Sequence, residues 1–185
     1  GGLFSSRINI ELSLKNKIRL ADELGQFLTS PLFNHAWPPE SDVRPAQEVI
    51  DAKLEEARAL VFGVRQQWQD YLTRIDELFR RLQDYTIRAS WKRELLAPLG
   101  EIFSGLGFAP VMKHVNEIHA RVLRSRVFVA LHIQAGDGNV HTNIPVSSDD
   151  YAMLQEANAA VARIMKLARS LNGVISGEHG IGLTK

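Results

Sequence analysis

Hydrophobic and polar residues alternate strictly near the start of the chain. Between Arg7 and Leu14 every second residue is apolar, and these positions are Ile8, Ile10, Leu12 and Leu14. A period of two is typical of a strand with one buried face. The pattern therefore predicts a strand over Arg7–Leu14, then a helix from about Lys15 to Leu28, and then a proline-rich loop over residues 30–45.

A second pattern runs through the middle of the chain, where apolar residues follow one another at alternating spacings of four and three. The seam comprises Ile50, Leu54, Ala57, Val61, Val64, Trp68, Tyr71, Ile75, Leu78 and Leu82. Such a heptad seam predicts either a coiled-coil arm for a partner or a long helix packed on its own neighbours. We favour the second interpretation, with Trp91–Phe103 and Val111–Leu123 as the neighbours. Pro45 suits a first helical turn, and Gly63 is the predicted break.

After Arg126 the pattern changes again. Val127–Gln134 and Val140–Val146 predict the two arms of a hairpin, followed by a helix that begins near Ser148 and ends at Asn172-Gly173. A short third strand is predicted over residues 173–176. The predicted fold class is α+β, an antiparallel sheet with helices on one face, plus a long coiled-coil-like helical insertion. The predicted divisions are 1–45 (strand, helix and proline-rich loop), 46–125 (helical insertion) and 126–185 (α+β segment).

The predicted hairpin gathers polar side chains on one surface. Because side chains alternate along a strand, pairing the aliphatic faces places four residues together on the other face, namely His132, Gln134, His141 and Asn143. The turn between the arms contains Gly136, Asp137, Gly138 and Asn139, types that tolerate tight turns. A plain hairpin turn explains these four residues equally well.

Glu178 and His179 stand in a glycine-rich loop, Gly177–Gly182, that permits close backbone approach. Zinc and manganese accept imidazole and carboxylate ligands. His141 and Glu178 are therefore candidate ligands, with His132 or Gln134 as a third. The alternative is a Glu-His pair that faces only water.

Composition narrows the function classes. The net charge of +1 on 185 residues does not favour nucleic acid as a partner. The chain has no cysteine, which excludes disulfides, iron–sulfur ligation and thiol catalysis by its own residues. We find neither a transmembrane segment nor a signal peptide in the sequence, so we expect a cytoplasmic protein, with peripheral attachment at the inner membrane as the alternative. Because the chain stops just after Gly182, we expect a fragment of a longer protein.

Two motifs in this order and separation resemble the C-terminal domain of FAD-linked oxidases, the family of D-lactate and D-2-hydroxyglutarate dehydrogenases and the glycolate oxidase flavin subunit. The first is Gly136-Asp137-Gly138-Asn139-x-His141-x-Asn143, and the second is Gly177–Gly182. Residues 46–125 are similar, more weakly, to an insertion in large bacterial members that carry iron–sulfur domains. Gln134 departs from the family pattern, which has histidine at that position.

The resemblance implies an FAD-dependent enzyme that oxidises a 2-hydroxy acid. His179 would be the catalytic base, Asn143 would contact substrate, and His141 and Glu178 would hold a divalent metal such as Zn or Mn. FAD would be bound mainly by a domain outside this chain, through residues that the resemblance does not identify here, and the chain alone would be inactive. Two alternatives are a helical protein-interaction module and a non-redox metal-binding domain such as a hydrolase.

Overall fold

The computed structural model describes residues 2–126, 130–134, 139–146 and 150–173. The elements in chain order are α1 (Gly2–Thr29), a 3₁₀ helix (Pro31–Ala36), α2 (Gln47–Thr73), α3 (Ile75–Gln83), a π-helical turn (Lys92–Leu96), α4 (Ala97–Ile102), a second 3₁₀ helix (Leu106–Phe108), α5 (Ala109–Arg124), β1 (Ala130–Gln134), β2 (Asn139–Asn143) and α6 (Tyr151–Ser170). Helices dominate, and within the described ranges the strands form only one two-stranded hairpin.

The predicted fold class is therefore wrong. An antiparallel sheet with helices packed on one face is not what the structure shows, because the core is built by helices packed on helices. The predicted third strand falls, apart from Gly173, outside the described residues.

The predicted strand over Arg7–Leu14 is also wrong, since these residues are the first half of α1. Two partners on different sides of this helix explain the alternation. Ile8 and Leu12 pack with Met153 and Ala157 of α6, whereas Ile10 and Leu14 pack with residues of α3 and the segment that follows it. Apolar residues on two sides of one helix give a period that resembles a strand. The helix predicted from Lys15 to Leu28 is confirmed as the second half of α1.

The heptad seam belongs to two consecutive helices that pack inside this chain, in agreement with the favoured interpretation. In α2 the buried residues are Ile50, Leu54, Ala57, Val61 and Trp68, and they join one core with residues of α1, α4 and α5. Gly63 lies inside α2 and does not interrupt it. The break comes at Arg74, whose side chain pairs with Asp70 of α2 at 3.2 Å and with Glu77 of α3 at 3.0 Å.

Pro98 explains the π-helical turn. A regular α-helix would need the amide of residue 98 to donate to the carbonyl of Glu94, and proline has no amide hydrogen. The amide of Ala97 instead donates to the carbonyl of Lys92, five residues back. Such π turns often occur at functional sites; this one follows Trp91, which is buried in the main core, and contains Glu94, which is partly buried.

The helix predicted after the hairpin is confirmed as α6, with a different N-cap. Asp150, not Ser148, caps it, since its carboxylate accepts from the amide of Met153 at 3.0 Å. The predicted end at Asn172-Gly173 is confirmed: Asn172 has a positive φ of 58°, and the amide of Gly173 donates to the carbonyl of Ala168 at 2.8 Å. These features define a Schellman motif.

No single helix of the described chain is long and apolar enough to cross a membrane. By length and composition alone, one pair of helical segments does pass, Lys92–Ile102 with Leu106–Arg124, and that pair is bent by 116°.

Candidate functional site

The hairpin brings together the positions that the sequence predicts for the site. β1 and β2 are antiparallel, and the register pairs Ala130 with Asn143, His132 with His141, and Gln134 with Asn139. Residues directly opposite each other in an antiparallel pair lie on the same face. The positions of His132, Gln134, His141 and Asn143 therefore share one face, as predicted, and the two histidines are direct cross-strand neighbours.

The turn that joins the strands is not fully described. Asn139 is the first residue of β2, whereas Gly136, Asp137 and Gly138 lie outside the described residues. Glu178 and His179 also lie outside them. The structure thus places the hairpin half of the predicted site and not the half that carries the predicted base.

The hairpin runs directly into the helical part of the fold. Ile144, which follows β2, packs against the small cluster of Leu12, Met153 and Ala157 between α1 and α6. Arg163 of α6 forms an ion pair with Glu11 of α1. The chain segment just after β2 therefore packs against the cluster between α1 and α6, and α6 is tied to α1 by an ion pair.

A metal-binding cluster is not seen in the part of the chain that the structure describes. Within residues 2–126, 130–134, 139–146 and 150–173, no group of three His, Asp or Glu side chains is arranged to hold an ion. The structure therefore lends no support to Zn or Mn. Glu178, the predicted carboxylate ligand, lies outside these ranges.

The other three histidines lie in helical segments; two of them stack on aromatic rings and the third is exposed. His114 stacks on Phe27 with ring centroids 5.3 Å apart, and its Nδ1 is 3.8 Å from Glu117 Oε2. His119 stacks on Trp91 at 4.4 Å with an interplanar angle of 9°, and burial lowers the pKa of His119. His35 is exposed in the first 3₁₀ helix.

Sequence reasoning missed a cavity next to His119. Lys17 of α1, Trp91, His119 and Arg126 line it, although they are far apart along the chain. No local pattern around Lys17 or His119 predicts this cavity. It forms only where three helical segments meet.

Residues 109–185 match the model of the family described as FAD linked oxidases, C-terminal domain. The match begins at the first residue of α5 and includes the hairpin, α6 and the Gly177–Gly182 loop. The resemblance predicted from the two motifs is thereby confirmed over this segment, which is less than half of the chain. No curated protein and no solved structure matches the chain significantly.

Proposed function

We propose that residues 109–185, which match the family model of the FAD linked oxidase C-terminal domain, form the substrate side of an enzyme that oxidises a 2-hydroxy acid. The family match supports the assignment of this segment to an FAD-linked oxidoreductase. The substrate class, the base and the metal are our proposal. It rests chiefly on one observation, the direct cross-strand pairing of His132 with His141.

The residue types at the hairpin are ones that a divalent metal accepts as ligands. Directly opposed positions in an antiparallel pair have Cβ atoms about 4.5–5.5 Å apart, a separation that lets two imidazoles reach one ion. Zinc and manganese both accept imidazole. We propose that His132 and His141 are two ligands, that Glu178 is the third, and that Gln134, which pairs with Asn139 instead, is not required.

The chain's own residues would then act directly on the substrate. His179 accepts the proton of the 2-hydroxyl group while the hydride leaves C2, and the product is the 2-oxo acid. Asn143, whose position is on the same face as the histidine pair, donates a hydrogen bond to substrate. When bound, FAD supplies the hydride acceptor, and a divalent metal supplies positive charge that lowers the pKa of the hydroxyl.

The proposal extends to partners and location. The FAD-binding domain and iron–sulfur domains of the same protein would contact this segment, and residues 46–125 would be the insertion that separates it from residues 1–45. We place the protein in the cytoplasm. The chain has no cysteine and so no disulfide, and disulfides are rare in cytoplasmic proteins.

Metal content tests the ligand set. The protein is stripped with EDTA, reloaded with Zn or Mn, and analysed by mass spectrometry. Wild type should retain about one ion per chain, whereas His132→Ala, His141→Ala and Glu178→Ala should each lose it, because removing one ligand lowers affinity strongly. Gln134→Ala and the exposed-histidine control His35→Ala should retain it. Retention of the ion by His141→Ala would contradict the assignment.

Anaerobic flavin bleaching tests the reaction. In the FAD-loaded protein, a panel of 2-hydroxy acids is mixed with enzyme and the loss of flavin absorbance is followed. At least one acid should reduce the flavin, and His179→Gln should slow that step about 10²–10⁴-fold, the usual contribution of a general base. His35→Gln is the matched control. Equal rates for His179→Gln and wild type would exclude His179 as the base.

A further inference from the structure

A cavity of about 420 Å³ opens between α1, α5 and the residue that precedes the π-helical turn. This volume falls within the range of about 300–1,000 Å³ that is usual for small-molecule sites. Leu12 and Val122, both buried, form part of its apolar floor. Its lining includes no residue of β1 or β2 and no residue of the two sequence motifs.

One wall of the cavity is aromatic and uncharged. Trp91, which is 8% exposed, stacks on His119 with their ring planes nearly parallel. Burial lowers the pKa of His119, which favours the neutral imidazole. A flat or aliphatic group can lie against this wall without displacing a hydrated charge.

Two cationic side chains, Lys17 and Arg126, also line the cavity. Lys17, in the middle of α1, has its pKa lowered first by burial; the attraction of Glu94 raises it and the repulsion of Arg126 lowers it. The Lys17 ammonium donates to Ser13 Oγ at 2.7 Å, which uses one of its three N–H groups. A partly dehydrated ammonium beside a second cation is electrostatically unfavourable, and a bound anion would relieve this.

Glu94, the carboxylate whose charge acts on Lys17, is already engaged by other donors. Glu94 Oε2 accepts hydrogen bonds from Trp68 Nε1 at 3.0 Å and from the amide of Ser90 at 2.6 Å. These two bonds fix the carboxylate toward α2 and the start of its own helical turn. Glu94 therefore attracts Lys17 without supplying the ligand that the two cations favour.

We propose that this cavity binds a small organic anion, with its carboxylate held by Lys17 and Arg126 and its apolar or aromatic body against Leu12, Val122 and the Trp91–His119 wall. Charge selects the head group, since two cations suit a carboxylate. The aliphatic floor and the stacked Trp91–His119 rings favour a ligand whose remaining part is apolar or aromatic. The site belongs to the helical part of the chain and to no residue of the two sequence motifs.

Isothermal titration calorimetry with benzoate as the probe tests the proposal. Benzamide is the uncharged match, and inorganic phosphate is an anion without an apolar body. Benzoate should bind saturably and more tightly than either. Lys17→Met and Arg126→Gln should each raise its dissociation constant about tenfold or more, the value of one charged hydrogen bond. Lys17→Arg should preserve binding because it keeps the charge.

A control separates this cavity from its neighbour. Lys17 also borders a second cavity that is lined by Arg88 and Tyr85, so Arg88→Gln should leave benzoate binding unchanged. Circular dichroism verifies that each variant keeps the helix content of wild type. If Lys17→Met does not fold, the benzoate affinity of Arg126→Gln tests the proposal instead. Equal binding of benzamide or phosphate, equal weakening by Arg88→Gln, or no saturable binding of benzoate to wild type would each overturn the proposal.

Discussion

Replacing Trp68 with phenylalanine removes the indole N–H that donates to Glu94 Oε2 across 3.0 Å. Trp68 is fully buried in the main core, and a phenylalanine ring there cannot replace the lost donor. A hydrogen bond to a charged group contributes about 1.5–3 kcal/mol, and the smaller ring leaves unfilled volume, so we expect a loss of about 2–4 kcal/mol in the free energy of unfolding. In a chain of this size that lowers Tm by about 5–15 °C.

Urea unfolding followed by far-ultraviolet circular dichroism measures this loss. Phe62→Ala is the matched control: it also removes aromatic surface from α2, but Phe62 is 62% exposed, and its change should stay within about 0.5 kcal/mol. A double-mutant cycle of Trp68→Phe with Glu94→Gln should give a coupling of about 0.5–3 kcal/mol. A Trp68→Phe protein as stable as wild type, with no coupling, would refute the packing of α2 against the π-helical turn.

Two further predictions concern a titration and a helix cap. The pKa of His119 is lowered by burial, so the unfolded chain binds its proton at a higher pH than the folded one; stability should therefore be complete above pH 6.5 and fall as the pH drops below it. Tm measured from pH 7.5 to 5 should decline less in His119→Phe, and an equal decline would contradict this origin. Asp150→Ala removes the N-cap of α6 and should cost about 1 kcal/mol. Hydrogen exchange of the Met153 amide should speed up, and unchanged exchange would show that the cap does not hold the helix end.

The hairpin shows what local patterns predict well. β-Branched residues on either side of a Gly-Asp-Gly-Asn turn predicted both arms, although β2 ends at Asn143 rather than Val146, and the four polar positions share one face as alternation predicted. A hairpin needs only short-range information, because neighbouring arms and their turn define the pairing. The motifs that identify the family were readable for the same reason, since each is contiguous in the chain.

The first helix shows where local patterns fail. Ile8 to Leu14 alternates because α6 lies on one side of α1 and α3 on another. No rule of strand or helix periodicity contains that information, since the two partners lie in distant parts of the sequence. The position of the break in the heptad seam, Arg74 rather than Gly63, was likewise not evident from spacing.

The sequence by itself determined the resemblance of residues 109–185 to the FAD linked oxidase C-terminal domain, the shared face of His132 and His141 in the hairpin, the end of α6, and the helices in the middle of the chain. Only the tertiary structure decided that the seam of α2 is buried within the chain, that the fold is predominantly helical, and that Lys17 and Arg126 border one cavity. The physical reason is the range of the interactions. Turns, caps and motifs are set by residues a few positions apart, whereas burial and cavities depend on which helices meet.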